Sequence, residues 1–158
     1  MRVVKIFLVC ICLQFVFVGA AKAQSTPDAS MQKFVKALLD KDRNSFLTLF
    51  SKTKSFQLTN PMNEGAVSPH WKSQVTYEEL SGDFKKKDGL YWLLMERADN
   101  GEMDCFADAV VTTDGKKWRK IGSNKFIPPM SDVKSPTFVV WRKEGKAWVV
   151  AEISYPSA

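Results

Sequence analysis

A chain of 158 residues with a formal charge of +6 is long enough for one domain with a proper core. Three of those charges, Arg2, Lys5 and Lys22, fall in the first 23 residues, which hold no acid, so the 135 residues that follow carry only +3 and lack the footprint of a nucleic-acid binder. The same segment holds Cys10 and Cys12, which leaves Cys105 alone and excludes an intrachain disulfide in the rest.

Met1 to Lys5 is a short basic start, and Ile6 to Val18 is an apolar run interrupted only by Gln14. Ala21 and Ala23 then place small residues three and one before Gln24. That order is a secretory signal with an A-x-A cleavage site. The apolar run is shorter than the ~20 residues a membrane-spanning helix needs. Cys10, in mid-run behind Val9, lacks the setting of a lipid-anchored cysteine. The expectation is a signal peptide over 1–23, cleaved at Ala23-Gln24, and a single α+β domain over 24–158. Its destination is the periplasm or, alternatively, the medium, without a stable membrane anchor. With Phe106, Ala107 and Val110 beside it, Cys105 reads as a buried thiol.

Beyond Gln24 the first element is a helix. Thr26 can cap it, Pro27 suits its first position, and Asp28 meets the positive end of its dipole. Met31, Phe34, Val35, Leu38 and Leu39 form one apolar face at helical spacing. After Asp40-Lys41-Asp42 a short second helix carries Phe46, Leu47, Leu49 and Phe50. Ser55 to Thr59 alternates like a strand and runs into Asn60-Pro61. Met62 to Ser73 has no periodicity and reads as a loop. Thr76 and Glu79 form a capping box. Tyr77, Leu80 and Phe84 share the face of the helix it starts, which Asp88-Gly89 stops. Leu90 to Met95 is apolar and buried, and its period does not decide between helix and strand.

From Cys105 the pattern turns to β. Asp114-Gly115 is a hairpin turn between strands over 104–113 and 116–121. Pro128-Pro129 ends the next strand. A last hairpin, Thr137–Lys143 with Lys146–Ser154, turns at Glu144-Gly145. With a two-residue turn there, Trp141 faces Trp148; a bulged three-residue turn would instead set Val140 against Trp148. Trp118-Arg119-Lys120-x-Gly122 recurs as Trp141-Arg142-Lys143-x-Gly145, read as repeated strand-and-turn chemistry rather than a duplicated unit.

Phe34 to Asp42 leading into Phe46-Leu47-Thr48-Leu49-Phe50, and the closing Lys146 to Ile153, resemble the SnoaL-like or ketosteroid-isomerase-like superfamily, the nuclear-transport-factor-two-like fold. Trp118 to Pro129 also resembles uncharacterised exported bacterial proteins. The first resemblance implies an α+β fold in which N-terminal helices pack in a curved antiparallel sheet, cone-like, around an apolar pocket. Some such proteins are isomerases or cyclases and many only bind, so the fold does not give the function.

An isomerase of that fold needs a carboxylate near apolar walls. Glu152 is the first candidate, because alternation along the final strand puts it on the face of Trp148 and Val150. Asp108, between Ala107 and Ala109, is the second. The candidate ligand-binding residues are Trp92, Trp118, Trp141 and Trp148, read as core or pocket wall, with Trp71 in a loop. His70, the only histidine, reads as a loop residue. One histidine and one cysteine beyond residue 23 leave no set for zinc. Neither a phosphate-cradling glycine loop nor a Gly-x-Ser-x-Gly elbow occurs. No cofactor is expected. Lys85-Lys86-Lys87 and Lys116-Lys117-x-Arg119-Lys120 read as solvated faces that could also meet anionic groups. The functional expectation is an exported, non-catalytic domain that binds a small apolar ligand or an envelope protein. The alternatives are an envelope inhibitor or immunity-type protein, and an isomerase- or cyclase-type enzyme using a pocket carboxylate.

Overall fold

In a computed structural model, residues 25–59, 74–96, 106, 117–129, 134 and 136–155 are described. The elements in chain order are α1 (Pro27–Leu39), α2 (Arg43–Leu47), β1 (Gln57–Thr59), α3 (Tyr77–Lys86), α4 (Leu90–Met95), β2 (Arg119–Ile121), β3 (Lys125–Ile127), β4 (Phe138–Glu144) and β5 (Ala147–Ser154). This is an α+β arrangement.

The helices start where their caps dictate. Thr26 Oγ1 accepts the Ala29 N–H at 3.1 Å, and Pro27 follows at a position whose N–H would be unpaired anyway. Asp42 caps α2 by accepting the Ser45 N–H. At α3 both halves of the capping box form: Glu79 N–H donates to Thr76 Oγ1 and Thr76 N–H to Glu79 Oε2. That helix ends one residue earlier than Asp88-Gly89 suggests. Lys87 takes the left-handed turn, at φ 56°, and the Asp88 N–H returns to the Asp83 carbonyl. Leu90 to Met95 is helical, with Asp83 Oδ2 accepting the Leu90 N–H at 2.9 Å. Phe106 has helical backbone, where a strand over 104–113 was expected; the Asp114-Gly115 turn lies outside the described residues.

The five strands form one sheet in the order β1-β5-β4-β3-β2. The expected all-antiparallel sheet is corrected at one edge, where β1 joins β5 in parallel, Leu58 opposite Ile153. The other neighbours are antiparallel. The last hairpin also turns one residue later than expected, at Gly145-Lys146. Glu144 pairs with Ala147, Lys143 with Trp148, and Trp141 with Val150 rather than with Trp148. Gly145 explains the choice: at φ 57° it takes the first turn position, where a two-residue hairpin favours glycine.

Helices cover one face of the sheet. Phe34 sits at the centre of the core, 5.1 Å from the Phe46 ring and edge-on to Phe106 at 5.9 Å and Trp141 at 6.0 Å. Phe46 passes the chain of rings to Phe50 and Phe84, Phe50 to Phe56, and Phe84 to Tyr91. Val139, Trp141, Val150 and Ile153, all fully buried, supply the sheet side. Offset and edge-on rings gain attraction beyond the area they bury.

Candidate functional site

A groove among the described residues lies beside this core. Along α1 the inward stripe is Met31, Phe34, Ala37 and Leu38, all buried. Val35 and Leu39 widen it on one flank, and Leu39 is 48% exposed, a large apolar side chain left without a cover. Facing this flank is the β2–β3 hairpin. Its three-residue turn begins at Gly122, whose φ of 65° suits glycine. Trp118, just before β2, and Phe126, on β3, point to the helical side. Between helix and hairpin runs a groove of about 430 Å³, lined by Met31, Val35, Leu39, Trp118 and Phe126, with polar side chains at its rim. That volume lies within the ~300–1,000 Å³ usual for small-molecule sites, and the mostly apolar lining is the usual kind.

One end of the groove is bridged. Lys120 Nζ reaches across from β2 to Asp28 Oδ2 at 2.8 Å and rests 5.9 Å from the centre of the Phe126 ring. The other rim residues are Gln32, Lys36 and Lys117. Lys36 pairs with Asp40 one turn along α1, and this carboxylate raises the pKa of its ammonium group.

Glu152 does not face the helix-covered side. A bulge lies between Val140 and Trp141: Val140 pairs with Glu152 but Trp141 with Val150, so Ala151 is the extra residue on β5. Alternation resumes after the bulge with the opposite phase. Ile153 therefore joins Val139 and Trp141 on the core face, and Glu152 turns to the outer face beside Gln57 and Thr59. There it is half-buried and accepts a hydrogen bond from Thr59 Oγ1 at 3.2 Å. Asn124, the last residue of the β2–β3 turn, holds the bulge. Its carbonyl accepts the Trp141 N–H at 2.9 Å, and its side-chain amide donates to the Trp141 carbonyl.

The four tryptophans do not gather at one surface. Trp118 walls the groove. Trp141 is fully buried in the core, and among the described residues its indole N–H has no acceptor; nor has that of Trp118. Trp148 packs partly buried against the core, its carbonyl within 3.5 Å of the Ser30 hydroxyl. Trp92 is 56% exposed on α4, the exception to the expected burial of that stretch. Asp108, His70, Trp71 and Cys105 lie outside the described residues. Lys85 and Lys86 are solvated in the last turn of α3, where they complement its dipole. Among the described residues no group of three or more His, Cys, Asp or Glu side chains could hold a metal.

Of the groove residues, sequence reasoning singled out Trp118 alone as a binding residue. Val35 and Leu39 carried a signal, since with Phe34 and Leu38 they make the apolar stripe of α1 wider than one packed face needs. Phe126 and the placement of Lys117 follow from the hairpin meeting α1, a contact between residues some ninety positions apart. No family model matches the chain, and comparisons with curated proteins and with solved structures give no match either.

Proposed function

We propose that this protein is an exported, non-catalytic binding domain whose groove between α1 and the β2–β3 hairpin takes a small apolar ligand. The observation that carries this reading is the groove itself: an aromatic wall, an aliphatic floor and the half-exposed Leu39. Residues 1–23 act as a cleaved signal peptide, and the periplasm is the destination. No helix among the described residues is long and apolar enough to cross a membrane. The likeness to SnoaL-like proteins, with helices held in a cone-like curved sheet, belongs to the same proposal. In that picture the ligand lies at the flank of the cone rather than in its tightly filled centre. A pocket carboxylate is not part of it. Glu152 is on the outer face, and Asp28, the acidic residue of the groove, is held by Lys120.

Native mass spectrometry of protein recovered from the periplasm tests this directly. The expected result is a polypeptide beginning at Gln24 that carries a small molecule, released on denaturation and lost in Leu39→Asp. A ligand-free protein, or a ligand retained unchanged by Leu39→Asp, counts against the groove. A polypeptide that retains residues 1–23 counts against export by a cleaved signal.

A further inference from the structure

We infer that the ligand is an acyl carboxylate, an unbranched apolar chain with a single anionic end, lying along α1 with its head between Lys36 and Lys117. This rests on the groove being the binding site. The shape comes from the helix. Met31, Val35 and Leu39 recur at four-residue intervals, a straight aliphatic track about 12 Å long at the helical rise. Trp118 and Phe126 line the same groove from the hairpin, so the free space runs along the track. A chain of methylenes fits such a slot, and burying each is worth about 0.8 kcal/mol.

The sign of the head comes from the rim. Asp28 is neutralised by Lys120, and that bridge closes one end of the slot. Lys36 and Lys117 stand on opposite walls, one on α1 and one leading into β2. Lys36 already has Asp40, but Lys117 is exposed and has no ion pair among the described residues. Among the described residues the rim therefore carries one uncompensated positive charge. A cationic head meets repulsion there, a neutral head gains nothing from it, and a monoanion is matched.

Isothermal titration of the purified full chain with decanoate and with decanol separates these cases. Decanoate is expected to bind about 1.5-fold to fivefold tighter than decanol, the range open to an exposed charge pair. The gap should narrow as salt is raised. Lys117→Gln should bring decanoate down to the affinity of decanol while leaving decanol unchanged, and Leu39→Asp should weaken both. Equal affinity for the two, with Lys117→Gln silent, overturns the anionic head and leaves the apolar groove standing. Binding of neither compound overturns the groove as the site, and the acyl carboxylate with it.

Discussion

Trp118 and Trp141 open the same phrase, Trp-Arg-Lys-x-Gly, and each phrase ends on a left-handed glycine, Gly122 at φ 65° and Gly145 at φ 57°. The two rings nevertheless meet different surroundings. Trp141 lies on β4, with β5 on one side and β3 on the other, and Phe34 closes over it edge-on. Trp118 leads into β2, at the end of the strand order, and its ring borders the groove. Local chemistry is shared, and position in the sheet decides the outcome. A tryptophan on an inner strand completes the core, whereas one at the end of the sheet keeps a side on which something else can pack.

The strongest challenge to this contrast is truncation of each ring. Trp141→Ala should cost about 3–5 kcal/mol, the range for emptying a well-packed aromatic site. Trp118→Ala should cost somewhat less, because that ring, though buried at 7% exposure, borders the groove on one side while Trp141 is enclosed all round. Urea melts followed by circular dichroism compare the two. Equal losses would contradict the contrast between the two rings.

The hairpin glycines test the shared half of the comparison. Neither Gly122 nor Gly145 has an atom within 4 Å of where a Cβ would stand, so alanine at either meets only the backbone cost of the left-handed region, about 1 kcal/mol. Similar losses from Gly122→Ala and Gly145→Ala in the same melts are expected. A clear difference would show that the two phrases are not equivalent even locally.

What could be read in advance follows the same division between local and distant causes. The caps at Thr26 and Thr76, Pro27 at the head of α1 and the apolar face of that helix depend on residues within a few positions of one another, and the structure has them. The parallel pairing of Gln57 with Glu152 depends on residues far apart in sequence, and no local pattern announces it. The outward turn of Glu152 depends on one bulged residue, Ala151. A strict two-residue alternation assigns the wrong face to a side chain beyond such a bulge. The groove exists because helix and hairpin meet, and from the sequence only Trp118 and the surplus width of the α1 stripe point to it.

Glu152→Gln distinguishes the two faces of the sheet. On the outer face, bonded to Thr59 and half-buried, the carboxylate should be replaceable for less than about 1 kcal/mol, with decanoate affinity unchanged. A larger loss, or altered ligand affinity, would return Glu152 to the list of working residues.

A smaller effect comes from Tyr91, on the packed side. Burial raises its phenol above the ordinary 10.0, and the hydrogen bond and charge of Glu96 add to this. The folded state thus holds the proton more tightly than the unfolded chain. The contribution is complete below pH 10 and is lost as pH rises through the raised value. Tyr91→Phe should flatten that alkaline decline in a series of melts from pH 8 to pH 11 and leave ligand affinity alone. An unchanged decline would assign it to other groups.

The central claim is that this protein binds at the flank beside α1 and not within its ring-filled interior or on its outer sheet face. The most direct measurement is a nuclear magnetic resonance titration that follows the tryptophan indole N–H signals while decanoate is added to the full chain. The account predicts that the Trp118 indole and the amides of Val35, Leu39 and Phe126 shift together with ligand concentration, while the Trp141 indole and the Glu152 amide stay in place. Movement led by Trp141 or Glu152, with Trp118 still, would contradict it.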